Sequence, residues 1–392
     1  MNTITKDTQF IAPTYTRADV VFICGKGSRL WDESRREYLD FSSGIGVNSF
    51  GSADPEWLAA VTAQAGGLAH ISNLYYTEPC ADLAELLCKK TGMAKVFFAN
   101  SGAEANECAI KAARKYGQRL GGAPDGVTCN TIVTLNNSFH GRTLATLAAT
   151  GQPEYHKHFH PFPSGFISVP ANDIDALCSA FDAYPTCAFM FECVQGEGGV
   201  NTLSALYLQD AQQLCSERDI LLICDEVQTG NGRTGTLYSY EQFGISPDIV
   251  TTANGLGGGL PIGAVLFSEK TAGVLTPGTH GSTFGGNPVC CAGALSILRR
   301  LDEDFLASVR AKSEYLRTAL AGMPCVTGLS GLGLMIGVSV ACNAKAAAQK
   351  CLSAGLVILT AKDKLRLLPP LNTPQSDLDA GLAILREVLG AC

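Results

Sequence analysis

Four places in this 392-residue sequence carry residue types that could do chemistry together. Asp225 directly follows the apolar run ILLIC (220–224). A carboxylate at a buried strand end is costly unless a cation answers it, and a protonated pyridine nitrogen would be such a cation. A helix-capping aspartate and a metal-ligating Asp225–Glu226 pair are the competing readings, and no nearby histidine favours the metal. Ser101, Gly102 and Ala103 end the run VFFAN and open a helical pattern. Free backbone N–H groups and the positive helix end would converge there on an anion, although a plain strand–turn–helix junction with a Ser/Asn cap reads as well. Asn254, in TTANGLGGG, ends a strand before a glycine-rich turn, and Asn before Gly is an ordinary turn signal. The Ser282 and Thr283 hydroxyls could meet a phosphate or bond a turn.

The elements that must position these residues are legible in the middle of the chain. Short apolar, β-prone runs recur at 96–99, 131–135, 166–169, 187–191, 220–224, 248–252 and 262–267. Helical patterns at Ala103 to Tyr116 and Leu208 to Glu217 lie between them, which predicts an α/β fold with crossover helices. In such sheets ligands sit beyond the carboxyl ends of the strands. Residues 1–50 predict a hairpin, with Leu30 and Trp31 on one arm and Tyr38 to Phe41 on the other. After 292 come helices at Ala292 to Leu301 and Phe305 to Ala321, a strand at 334–341 and a last helix at Leu378 to Leu389. The expected organisation is a large domain over 51–291 and a smaller α+β domain built from 1–50 and 292–392.

Composition narrows the class of function. A 46% hydrophobic and 17% charged chain is globular, and a net charge of −7 offers no general attraction for nucleic acid or anionic membrane. No apolar run reaches the ~18–20 residues of a membrane helix, and MNTITKDTQF lacks signal-peptide character, so a cytoplasmic protein is expected. The 16 cysteines scatter through apolar runs without a CxxC pair, which reads as buried reduced thiols. His156, His158 and His160 would share one face if extended, inviting a metal reading, but Pro161 and Pro163 argue for a loop and no metal is expected. Neither GxxxxGK[ST] nor a strand-linked GxGxxG is present, which leaves NTPase and dinucleotide sites unsupported.

The segments LWDESRREYLDFSSGIGVNSFG, FFANSGAEANECAIKAAR, NNSFHGRTLATLAATG, ECVQGEGGV, CDEVQTGNGRTG and LRLLPPL, in this order, resemble the class III aminotransferases of fold type I, most of all their bacterial acetylornithine branch. That resemblance implies a mostly parallel seven-stranded sheet and a pyridoxal 5′-phosphate or pyridoxamine 5′-phosphate cofactor. It also implies a homodimer with shared active sites, and amino-acid and 2-oxo-acid substrates. By the same resemblance Gly102 and Ala103 cradle the phosphate, Thr283 reaches it from the neighbouring subunit, and Ser101 and Ser282 are among the cofactor-binding residues. Phe139 stacks on the ring, His140 is a wall or orienting residue, Asp225 pairs with the ring nitrogen, Val227 lines the pocket and Gln228 approaches the phenolic oxygen. Arg142 holds a substrate carboxylate, and Glu197 neutralises Arg366 until a second carboxylate displaces it. Tyr15 matches a residue near the substrate mouth, or is a buried anchor of the N-terminal segment.

The chain departs from the family pattern in three places. GSADPEW replaces the usual GHCHP after Asn48, which leaves the substrate entrance undefined; Cys193 stands where proline is usual; and Asn254 occupies the position of the Schiff-base lysine in AKGLGGG. The lysine amine bonds the cofactor and shuttles a proton, whereas an amide is neither nucleophile nor base, and such proton transfer is commonly worth ~10²–10⁴-fold. The expected activity is transfer of an amino group between N2-acetylornithine and 2-oxoglutarate, in arginine metabolism, crippled by Asn254. Succinylornithine, ornithine and 4-aminobutyrate are rival substrates, and a non-catalytic cofactor-binding protein is the rival class. Asn254 itself reads as an introduced substitution in an otherwise complete site, as a natural non-catalytic relative, or as lysine-free chemistry.

Overall fold

The computed structural model describes residues 2–120 and 129–391. Seven strands form the central sheet, in the order Lys95–Ala99, Gly263–Phe267, Ile249–Thr252, Leu221–Asp225, Thr186–Phe191, Thr131–Leu135, Phe166–Val169. Only Gly263–Phe267 runs against its neighbours. Each of the seven apolar runs has become one of these strands. The middle strands are buried along their whole length, so they read as continuous hydrophobic runs rather than alternating ones.

Helices cover the sheet. The longest crossing it is Gly102–Leu120, whose Ala105, Cys108, Ala109, Ala112 and Ala113 are fully buried. These small side chains, spaced at helical intervals, let the helix lie close against the strands. The structure adds helices that the sequence pattern did not announce, at Pro55–Gly67, Glu78–Thr91 and Ile174–Ala183. The helix expected from Ala292 starts earlier, as Pro288–Arg299, because the Asn287 side chain accepts the Val289 N–H at 3.0 Å and the Cys290 N–H at 3.2 Å.

The N-terminal hairpin forms as Arg29–Asp32 against Glu37–Asp40, with Phe22–Lys26 as a third strand. Leu356–Val357 from the far end of the chain joins it in parallel beside Leu39 and Asp40. A second antiparallel sheet orders Val326–Leu332, Met335–Val340, Lys364–Leu367 and Leu359–Ala361. Arg233, 2% exposed, ties the parts together: it donates to the carbonyls of Leu334 at 3.1 Å and Pro369 at 2.6 Å and to the Ser43 hydroxyl at 3.3 Å. The position 291/292 falls inside the helix Pro288–Arg299.

Candidate active site

The carboxyl ends of five parallel strands deliver the site. Lys95–Ala99 leads to Ser101–Ala103, Thr131–Leu135 to Phe139–Arg142, Thr186–Phe191 to Glu192–Glu197, Leu221–Asp225 to Gln228, and Ile249–Thr252 to Asn254. Parallel strands bring these loops to one edge of the sheet, where strand-end residues from distant parts of the chain can meet.

Asp225 lies at the centre of this edge and is 4% exposed. Its Oδ2 accepts Nδ2–H of Asn106 at 2.8 Å and faces Nδ1 of His140 at 2.7 Å, and its Oδ1 accepts the Val227 N–H at 3.0 Å. Asn106 also donates to the His140 carbonyl at 2.7 Å, so one helix side chain fixes both the acid and the backbone of the histidine. Asn106 was not among the expected site residues. Its signal was a polar residue on the otherwise small, apolar buried face of the Gly102–Leu120 helix.

A second carboxyl lies beside the first. Glu192, buried, accepts the Phe139 N–H at 2.9 Å and the Gly196 N–H at 3.4 Å. Burial, and secondarily the charge of Asp225, push its pKa well above the usual carboxylate range. Glu192 thereby fastens the backbone of the ring-stacking candidate to the loop that carries Glu197. It shares with Asp225 the placement of an acid just after an apolar run, which the sequence displays equally plainly.

Arg366 Nη1 pairs with Glu197 Oε1 at 2.5 Å and reaches Gln228 Oε1 at 3.2 Å, while Gln228 Nε2 donates to Glu197 at 3.3 Å. The expected pair is therefore assembled, with Gln228 bridging it. Arg142 is exposed and has neither an ion pair nor a hydrogen bond among the described residues. Its guanidinium carbon lies 3.9 Å from the Tyr155 ring centroid and 5.5 Å from that of Phe139.

On the anion side, the Gly102–Leu120 helix begins with N–H groups that no helix satisfies internally. The Ser101 hydroxyl caps the Glu104 N–H at 3.2 Å. A Cβ on Gly102 would come 2.5 Å from a Val227 methyl, so only glycine lets the cradle close on this wall. Ser282 bonds Asn100 at 3.1 Å and the Gly285 N–H at 2.9 Å, and Thr283 is exposed next to it. Tyr15 is 74% exposed, with Arg17 over its ring at 5.4 Å. Within the single chain Tyr15 is not a buried anchor, and no residue of the first helix is buried.

Asn254, where the resemblance led us to expect a lysine, has φ +30° and is half-buried. Its amide donates to the Ile45 carbonyl at 3.1 Å. The following turn is braced from the departing segment GSADPEW: Asp54 caps the Pro55–Gly67 helix, and the Trp57 indole N–H donates to the Gly257 carbonyl at 2.9 Å. Gly258 and Gly259 have φ of +59° and +122°, which strain any other residue, and a Cβ on Gly258 would come 3.0 Å from the Trp57 indole nitrogen.

The histidine run forms no ligand set. The His160–Pro161 bond is cis, and His156 Nε2 lies 2.8 Å from both the Leu147 and the Thr150 carbonyls. Among the described residues the one grouping of metal-capable side chains is Cys193, Cys224 and Glu226, all buried. Glu226 is already held by Thr229, Ser239 and the Tyr240 N–H.

The chain belongs to the Aminotransferase class-III family, whose profile matches residues 10–389. The cofactor of this class is pyridoxal 5′-phosphate, and the buried Asp225, the unsatisfied helix start and the half-buried Phe139 face are chemically suited to its ring nitrogen, phosphate and ring. The chain is similar to acetylornithine aminotransferase of Haemophilus ducreyi, with 53% identity over 98% of this chain and 97% of the relative. Among solved structures it is similar to ornithine aminotransferase of Toxoplasma gondii, with TM-score 0.94 and 32% identity over 99% of this chain and 94% of that one. It is likewise similar to N-acetylornithine aminotransferase of Stenotrophomonas maltophilia, with TM-score 0.85 and 36% identity over 99% and 98%. No helix among the described residues is long and apolar enough to cross a membrane.

Proposed function

We propose that this chain is built to move an amino group between N2-acetylornithine and 2-oxoglutarate, with Asn254 holding turnover far below that of a lysine-bearing site. The observation that carries this reading is the pair of unlike arginines: Arg366 neutralised by Glu197 at 2.5 Å, and Arg142 left without an acidic partner among the described residues. A monocarboxylate donor then needs only Arg142, because an uncompensated buried Arg366 is never exposed to it. A five-carbon dicarboxylate draws Arg366 away from Glu197 with its second carboxylate and is held at both ends. Guanidinium forks suit carboxylates bidentately, which fixes the orientation of either substrate.

When bound, pyridoxal 5′-phosphate supplies the carrier for the amino group and the electron sink that stabilises the substrate carbanion. In this reading Ser101, Gly102 and Ala103 hold its phosphate, joined by Ser282 and Thr283 of a second copy. Phe139 covers the ring, Val227 walls it, Asp225 keeps its nitrogen protonated, His140 orients Asp225, and Gln228 approaches its phenolic oxygen. Asn254 can neither hold nor move a proton at the substrate carbon, so binding survives while the proton shuttle is lost. Tyr15 belongs to the substrate mouth of the assembled dimer. Exposed Leu74, Tyr75, Tyr76 and Phe284 lie around the Ser282–Thr283 segment, where Asn73 donates to Ser282, and support burial of this face by a second copy. The Leu356–Val357 strand beside Leu39 and Asp40 supports reading 1–50 and 292–392 as one companion domain to 51–291.

The test is Asn254→Lys, assayed beside the parent chain against acetylornithine, succinylornithine, ornithine and 4-aminobutyrate with 2-oxoglutarate. The lysine variant is expected to gain ~10²-fold or more, with acetylornithine the best donor. Preference for another donor overturns the substrate assignment alone. A lysine variant that binds cofactor and turns over none of them favours the second reading, a non-catalytic cofactor-binding protein.

A further inference from the structure

We propose that Tyr155 is the positioning residue for Arg142: its ring holds the guanidinium face-on, so that the N–H edge is presented to a substrate carboxylate. The proposal rests on the reading of Arg142 as a carboxylate-binding arginine. The guanidinium carbon lies 3.9 Å from the Tyr155 ring centroid, well inside the ~6 Å over which a ring face attracts a cation. Tyr155 stands edge-on to Phe139, with centroids 5.9 Å apart and planes at 81°, and Arg142 lies 5.5 Å from the Phe139 ring as well. The three side chains form a continuous run from the ring-covering residue to the carboxylate-binding one.

Arg142 needs such a support because it is exposed and has no ion pair or hydrogen bond among the described residues. An exposed arginine carries much rotamer entropy, which a substrate would otherwise have to remove on binding. An acidic partner would order it equally well but would compete with the substrate carboxylate. An aromatic face orders the cation and leaves all five N–H groups free.

Tyr155 is itself fixed from both sides. It ends the short turn Pro153–Tyr155, whose preceding residue, Gln152, is buried and donates to the carbonyls of Asn137 at 3.3 Å and Ser138 at 3.2 Å. The next residue, His156, lies 2.8 Å from the Leu147 and Thr150 carbonyls. The histidine that invited a metal reading instead fastens the turn that carries Tyr155.

The experiment measures binding of glutarate, an unreactive five-carbon dicarboxylate, to the full-length cofactor-loaded chain by calorimetry. Tyr155→Leu and Tyr155→Ala are each expected to raise Kd roughly 2- to 30-fold, and Tyr155→Phe to stay within about twofold, because the ring face alone is required. In an Arg142→Ala chain, removing Tyr155 is expected to change Kd no further, since the two residues act as one unit. Parent-like binding by Tyr155→Leu, or an additive loss in the double variant, overturns the proposal. If Arg142→Ala alone binds glutarate as the parent does, the reading of Arg142 fails and takes the proposal with it. If Arg142→Ala weakens binding and Tyr155→Leu does not, only the role of Tyr155 fails.

Discussion

Asp225 and Glu192 are two acids placed alike, each just past a buried strand, and their surroundings give them different work. Asp225 accepts from the Asn106 amide and the Val227 N–H and faces the His140 ring, so its orientation is set from three sides. Removing one donor should weaken what Asp225 holds. Asn106→Ala is expected to lower cofactor affinity roughly 5- to 100-fold, the equivalent of about 1–3 kcal/mol for an unpaired buried group, read by fluorescence titration. Affinity equal to the parent would remove Asn106 from the site. Glu192, by contrast, has its pKa raised by burial, so the folded chain retains a proton that the unfolded chain releases above its ordinary value of 4.5. Its contribution to stability is complete below that value and declines as pH rises toward the raised folded pKa. Glu192→Gln has no such proton to lose. The melting temperature of the variant relative to the parent is therefore expected to rise between about pH 5 and 7, and a difference independent of pH would count against a protonated Glu192.

The elements around these residues explain which parts of the site could be read from sequence. The strands were legible because each is a run of four to six mostly apolar, β-prone residues, too short for a helix, and the middle ones are buried on both faces. The helix Pro55–Gly67 was not legible, since none of its residues is buried within the chain and no apolar stripe marks its face. Trp57 on that helix carries a role that its segment concealed. Trp57→Phe keeps the ring against Gly258 but loses the bond to the Gly257 carbonyl, and should cost about 0.5–1.5 kcal/mol in denaturant unfolding. Gly102 is constrained by its neighbour rather than by its own φ. Gly102→Ala puts a methyl 2.5 Å from Val227 and is expected to destabilise by about 1–3 kcal/mol, measured in the same way; a neutral result would mean that the Val227 wall yields.

At the scale of the whole molecule, the site depends on segments from both ends of the chain meeting the central sheet. Arg233 is the buried link, donating to Ser43, Leu334 and Pro369, and burial pushes its pKa down to about 9. Arg233→Leu leaves those acceptors unanswered and should cost about 3–5 kcal/mol, with a lower melting temperature for the whole transition; an unchanged one would show that the terminal segments dock without it. A second copy is expected to complete the site, so sedimentation should report twice the chain mass, and a monomer with full cofactor affinity would refute the shared-site arrangement.

The sequence by itself determined the α/β class, the strand ends at which chemistry gathers, and the absence of a lysine at position 254, because these follow from local apolar patterning and residue identity. Only the tertiary structure decided that Asn106 serves Asp225, that Glu192 fastens Phe139 to the loop that carries Glu197, that Trp57 braces the glycine turn and that Tyr155 faces Arg142. Most of these contacts join loops and elements far apart along the chain, and all depend on directions set by sheet order and helix packing, which no local pattern encodes.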